Sequence, residues 1–248
     1  MKVFFSTVFL LTVLAGGLSA REGNTGSGSG FATPWLIEFS NLPKEARAEY
    51  ISLFQQAKLA YITGDWTVCY GLLSQCEFIY DKNPHVWNLR TVCLIAQKKF
   101  TEAEKELHKA QQELPHDDTT LMNVANLHMG KGEFRQCISV IQGIIDTLPY
   151  PKSPPLLDIL TFRIYLCHLM LGENNEAKQC VRHLTPLSDT PLYYYSQAAF
   201  HITKGNRVQA RHDIQAADTI YAKENATLPY LRAIQASGLE EKFLQKKP

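Results

Sequence analysis

Apolar residues recur at spacings of three and four over most of the chain, in residues 46–238. This spacing puts them on one face of an α-helix, whereas the strict alternation that is typical of half-buried strands is scarce. Five short polar turns interrupt the helical pattern. They begin at Gly64, Lys98, Gly132, Gly172 and Gly205. The pattern predicts an all-α protein in which short helices are joined by tight turns.

The five turns are almost evenly spaced, because their first residues lie 34, 34, 40 and 33 positions apart. Five positions after each first turn residue stands a small residue, and nine positions after it stands an aliphatic one. The small residues are Cys69, Ala103, Cys137, Ala177 and Ala210. A single pair of helices cannot bury its apolar face, so we expect consecutive helix–turn–helix pairs to stack on one another.

This repeat resembles the tetratricopeptide repeat family. The segments Trp87–Pro115 and Leu121–Pro149 carry the resemblance, which extends over roughly residues 50–222. It implies a right-handed helical solenoid of about five helix pairs over residues 46–238, closed by a C-terminal capping helix at 227–237 and followed by a polar tail, 239–248. Two departures are a lysine, Lys98, where the other turns have glycine, and a proline-rich insertion at 150–155.

The first 20 residues have the three-part plan of a secretory signal peptide. Lys2 precedes an apolar run of about 13 residues, and small residues ending at Ala20 follow. The run is shorter than the roughly 20 residues that cross a bilayer, although an uncleaved anchor remains the alternative. Residues 21–45 read as a Gly/Ser-rich linker and an N-terminal cap. We therefore expect an exported protein, periplasmic or secreted, with no membrane span once the signal is removed.

Composition and motifs argue against several classes of function. The chain has 25 Lys+Arg and 24 Asp+Glu residues, a balance that argues against nucleic-acid binding. Since no metalloprotease or serine-hydrolase motif occurs, we expect no enzymatic activity, no cofactor and no small-molecule substrate. His128, His168 and His201 each lie four positions before a turn and suggest a metal site. Repeats about 10 Å apart cannot share one ion, however, so we interpret the three as packing residues.

The chain has six cysteines, and an even number in an exported protein suggests disulfides. Each helix–turn–helix pair has a first helix before the turn and a second helix after it. Cys69 and Cys137 occupy the same repeat position on second helices, and Cys93 and Cys167 occupy the same repeat position on the first helices that follow. We therefore predict two candidate disulfides, Cys69–Cys93 and Cys137–Cys167. The alternative is that all six cysteines are small buried apolar side chains.

The family resemblance also implies a binding surface. In tetratricopeptide proteins, residues ten, six and three positions before the turn line the concave face. Here that rule selects, among others, Phe54, Lys58, Tyr61, Asn88, Val92, Met122, Asn126, Met129, Phe162 and Tyr195. The resulting groove is apolar and predicts an adaptor that binds a peptide or an amphipathic helix of another protein. Three alternatives stay open: a chaperone-like holder of apolar segments, a metal-binding protein or enzyme built on the three histidines, and a stripe that is ordinary core.

Overall fold

The computed structural model describes residues 33–148, 154–222, 226–239 and 241. These residues are predominantly helical and contain no strand, which confirms the predicted all-α class for this part of the chain. None of the helices described is both long enough and apolar enough to cross a membrane. The predicted signal peptide, most of the linker, residues 149–153 and most of the polar tail lie outside the described residues.

Twelve helices occupy the described part of the chain. In order they are α1 (Pro34–Ser40), α2 (Lys44–Thr63), α3 (Trp66–Ile79), α4 (Pro84–Ala96), α5 (Phe100–Glu113), α6 (Asp118–Lys131), α7 (Phe134–Thr147), α8 (Pro154–Leu171), α9 (Asn174–Val181), α10 (Leu192–Thr203), α11 (Arg207–Ile220) and α12 (Leu228–Ser237). Each predicted turn falls between two of these helices, so the architecture is helical and repeat-like.

The turns share one backbone conformation. The first helix of each pair ends at a residue with positive φ: Gly64 at 82°, Gly132 at 80°, Gly172 at 79°, Gly205 at 72° and Lys98 at 59°. This left-handed residue reverses the chain, and the next amide closes the helix; the amide of Glu133, for example, donates to the carbonyl of His128 at 2.8 Å. The second helix then starts immediately.

The described residues form two compact units, divided between Asn123 and Val124. In the N-terminal unit, α2 packs on α3, α4 packs on α5, and both α2 and α3 also contact α4. Tyr50 and Leu73 are among the fully buried side chains of its core. Helix α1 covers one end of this core, because the ring of Phe39 lies 4.9 Å from that of Tyr50.

The C-terminal unit has a core of its own. Helix α8 packs on both α7 and α9, and α10 packs on both α11 and α8. The last helix, α12, contacts α8 and α10. It contributes Tyr230 and Ile234 to a core that also contains Phe162 and Tyr195, so the predicted C-terminal helix buries apolar surface of these two earlier helices.

Candidate functional site

The candidate surface of the N-terminal unit is built from first-helix residues of α2 and α4. Phe54 is buried, and the Lys58 ammonium lies 5.0 Å from the centre of its ring, within the range of a cation–π contact. Tyr61 is half-buried, with its ring 5.6 Å from that of Trp66. Val92, on α4, is also half-buried. Lys58, Tyr61 and Val92 therefore keep part of their surface accessible.

Lys58 is the charged group of this surface. Desolvation by burial lowers the pKa of its ammonium group below the ordinary value of 10.5. A cation held against an aromatic ring and partly removed from water gains from an additional negative partner. Lys58 is therefore the position on this surface at which a carboxylate of a bound molecule would be stabilised most.

Asn88 was predicted to line the groove, but its side chain is buried and makes its hydrogen bonds within the N-terminal unit. Its amide nitrogen donates to Thr120 Oγ1 at 2.8 Å, and its amide oxygen accepts from Asn123 Nδ2 at 3.0 Å. The Thr120 hydroxyl donates in turn to an Asp117 carboxylate oxygen at 3.3 Å. Because buried polar groups need such partners, Asn88 holds α4 and α6 together and does not line a surface.

In the C-terminal unit, most of the predicted groove is core. Phe162, Met129 and Tyr195 are almost entirely inaccessible. The Tyr230 ring, on α12, lies 5.3 Å from both the Phe162 ring and the Tyr195 ring. The last helix therefore covers the face of α8 and α10 that the repeat register had assigned to a partner.

Three of the eight residues named as the groove remain half-buried: Tyr61, Met122 and Asn126. Asn126 is engaged within the C-terminal unit, since its side-chain oxygen accepts from Arg163 Nη1 at 2.7 Å. Counting from the turn selects positions on each first helix by register alone. The count carries no information on which other helix packs over them, and this is why it assigned the covered residues Phe162 and Tyr195 to a groove.

The three repeat-spaced histidines each contact a carboxylate, a pairing that the sequence analysis missed. His128 Nδ1 lies 2.6 Å from Glu133 Oε2, and His168 Nδ1 lies 2.8 Å from Glu173 Oε2. His201 differs, because its partner is Asp213 on α11, at 2.7 Å. A signal was present in the sequence for the first two, since both carboxylates follow the turn glycine directly, five positions after the histidine.

The first two pairs hold each turn to the helix before it through electrostatic contacts. The hydrogen bond with His128 and contacts with Lys131 hold the pKa of Glu133 below its ordinary 4.5. His168 does the same for the pKa of Glu173, with a further contribution from Arg135, whose Nη2 lies 2.5 Å from Glu173 Oε1. Each carboxylate thus joins a first helix to the turn that follows it. Among the described residues, no group of three or more His, Cys, Asp or Glu side chains is arranged to hold a metal ion.

The structure brings both predicted cysteine pairs together. Cys69 Sγ on α3 lies 3.0 Å from Cys93 Sγ on α4. The thiols of Cys137 on α7 and Cys167 on α8 are hydrogen-bonded to each other, and this contact lowers the pKa of Cys137 and raises that of Cys167. All four side chains are inaccessible to solvent. Of the remaining two, Cys76 is buried and its Sγ lies near the Tyr50 carbonyl, whereas Cys180 is half-buried.

Comparison with known proteins adds no relative to this description. No protein-family model matches the chain, and no curated protein matches it. The tetratricopeptide resemblance therefore rests on the period and the turn positions of the chain itself. The candidate surface is defined by geometry alone and consists of the half-buried first-helix residues of the N-terminal unit. The corresponding face of the C-terminal unit is covered by α12.

Proposed function

We propose that this protein is an exported adaptor that binds another protein through the first-helix face of its N-terminal unit. In this proposal the helix pairs form a tetratricopeptide-like, right-handed solenoid of about five pairs. The binding surface is the set of half-buried side chains Lys58, Tyr61, Val92 and Met122. This surface would bind the partner protein, and the proposal assigns no chemical reaction to it.

The proposal rests on how α12 packs against α8 and α10. This helix of ten residues lies against α8 and α10 and buries Tyr230 and Ile234 there, so a first-helix face of this chain holds a short amphipathic helix. Among the corresponding positions of the N-terminal unit, Phe54 and Asn88 are also buried. The side chains that keep accessible surface there are Lys58, Tyr61, Val92 and Met122. Burial of apolar side chains on such a face favours association by roughly 25 cal/mol for each Å² removed from water.

The chemistry of the surface indicates what kind of partner it fits. Tyr61, Val92 and Met122 favour apolar side chains, and tyrosine is a frequent anchor of protein interfaces. Lys58 favours a carboxylate at one end of the contact, since its ammonium group is partly desolvated. The partner is therefore expected to be an amphipathic helix or an apolar peptide that carries an acidic residue.

Crosslinked capture by residues 21–248 in the producing organism tests this function. The variant Tyr61→Glu places a charge in the proposed surface and should weaken capture at least tenfold, which corresponds to about 1.4 kcal/mol. Tyr70→Glu is the matched control, because Tyr70 is 39% exposed on the second helix α3 of the same unit. Circular dichroism should show unchanged helicity for both variants.

The pattern of captured proteins separates the alternatives. One stoichiometric partner that is lost with Tyr61→Glu and kept with Tyr70→Glu supports the adaptor. Many unfolded clients with weak dependence on either residue would favour the chaperone-like holder. A partner that is lost with Tyr70→Glu alone would place the interface on the second helices and refute the proposed surface.

A further inference from the structure

Two pairs of cysteine thiols occupy corresponding places in the two units. Cys69 and Cys93 join the packed helices α3 and α4, and their sulfur atoms are 3.0 Å apart. This is about 1 Å longer than the ~2.05 Å of a disulfide bond. Cys137 and Cys167 make the same kind of contact between α7 and α8. The sulfur atoms of the first pair therefore have to approach by about 1 Å to reach bonding distance.

The distribution of cysteine along the repeats argues against simple packing. Two positions can be compared between consecutive turns: the fifth residue after the first residue of one turn, and the fifth residue before the first residue of the next. Between the first and second turns, and again between the third and fourth, both positions are cysteine. Between the second and third turns the same positions hold Ala103 and Leu127, and between the fourth and fifth turns they hold Ala177 and Phe200. Cysteine as a mere substitute for alanine would explain Cys69 and Cys137. It would not explain Cys93 and Cys167, which stand where the other two intervals between turns have a large apolar residue.

We propose that Cys69–Cys93 and Cys137–Cys167 are two structural disulfides of the mature protein, each linking the second helix of one pair to the first helix of the next. The first bond closes a loop between residues 24 positions apart. The second spans the proline-rich segment between α7 and α8. Each bond fixes a helix–helix contact of its unit against opening.

The oxidant is a disulfide, either of a protein dithiol oxidase or of glutathione. One protein thiolate attacks a sulfur of this oxidant, which forms a mixed disulfide and releases one thiol. The second protein thiolate then displaces the other thiol and completes the intramolecular bond. Two protein thiols are oxidised, the oxidant is reduced to two thiols, and these carry the two protons. Because all four cysteines are inaccessible in the folded chain, both steps precede the completion of folding.

Peptide mapping of the full mature chain tests the proposal. Residues 21–248 are refolded in a mixture of oxidised and reduced glutathione, quenched with an alkylating agent in denaturant, and digested without reduction. We expect two linked peptide pairs, Cys69 with Cys93 and Cys137 with Cys167, each lighter by two hydrogens than its thiol form. Cys76 and Cys180 should be alkylated. Six alkylated cysteines, or bonds that include Cys76 or Cys180, would overturn the proposal.

Variants and a kinetic measurement make the test specific. Cys69→Ala introduces the residue found at this repeat position in three other pairs, and it should abolish only the first bond. Cys76→Ala is the buried control and should leave both bonds in place. Without any variant, the oxidised protein should resist dithiothreitol until denaturant is added, since the bonds are inaccessible when folded. Rapid reduction of both bonds in the native state would contradict their assigned place in the core.

Discussion

A single residue with positive φ sets the geometry of each turn, and among these five residues only Lys98 is not glycine. The other four first turn residues are glycine, which has no Cβ to clash at positive φ, whereas Lys98 adopts a φ of 59° with a full side chain. A left-handed residue other than glycine costs roughly 1–2 kcal/mol. The turn between α4 and α5 therefore stores backbone strain that the other four turns avoid.

Lys98→Gly should stabilise the protein by about 0.5–1 kcal/mol, because relief of the strain exceeds the extra entropy that glycine gives the unfolded chain. Urea denaturation measures the change. Gly172→Ala is the reverse control: apart from its two chain neighbours, no residue has an atom within 4 Å of the added Cβ, so a loss of stability there comes from the backbone conformation. An unchanged midpoint for both variants would mean that the left-handed conformation costs nothing at these turns.

Phe162 tests whether the predicted groove in the C-terminal unit is core. Its side chain is fully buried against Tyr230, so Phe162→Ala should lower the free energy of unfolding by about 3–5 kcal/mol. Phe78→Ala is the matched control, because Phe78 is 95% exposed and its loss should change stability by less than about 0.5 kcal/mol. Equal midpoints for the two variants in thermal denaturation would place Phe162 on the surface.

The histidine–carboxylate pairs predict how stability changes in acid. Glu133 and Glu173 have pKa values below 4.5 in the folded protein, so their contribution is complete above that pH and is lost as pH falls through the lowered pKa values. In the double variant Glu133→Gln/Glu173→Gln, the decline of the urea midpoint between about pH 5 and pH 3 should be shallower. Glu176→Gln, an exposed position on α9, should retain the full decline.

At the scale of helices, sequence periodicity predicted the helices and turns well. It did not predict which helix packs over the apolar face of another. All five turns, from Gly64 to Gly205, fall between helices where the pattern put them, because positive φ and a change of amphipathic phase are local signals. Phe162 and Tyr195 lie on a face that α12 covers. The sequence predicted an apolar face there but not the helix that covers it, because a face that binds another protein and a face that binds a helix of the same chain have the same apolar composition.

Helix α12 supplies the next prediction. Ending the chain after residue 225 removes α12 from α8 and α10 and exposes Phe162 and Tyr195, so binding of an apolar dye such as anilinonaphthalene sulfonate should rise and the melting temperature should fall. Ending the chain after residue 241 is the control and should change neither property, since it keeps Tyr230, Ile234 and Leu239 in the core. A truncation at 225 that leaves dye binding unchanged would show that α12 does not shield this face.

At the scale of the whole molecule, the charge balance bears on how the proposed surface would hold its proposed partner. With 25 basic and 24 acidic residues, long-range attraction contributes little to association, so that partner would be held by short-range packing. The repeat period was visible in the sequence because the first turn residues recur 34, 34, 40 and 33 positions apart. The three-helix contact of α8, α10 and α12 was not, because it joins residues as far apart as Phe162 and Tyr230.

Export is the whole-molecule prediction that connects the proposed adaptor role with the proposed disulfides, since exported proteins meet the oxidants that form such bonds and cytosolic proteins rarely do. Cleavage after Ala20 should give a mature chain that begins at Arg21, which mass spectrometry of the N-terminal peptide will identify. Ala20→Arg removes the small residue at the cleavage site and should leave the precursor uncut, whereas Ala32→Arg, beyond the site, should not. A mature protein that retains Lys2 and partitions with membranes would instead identify residues 1–20 as an anchor.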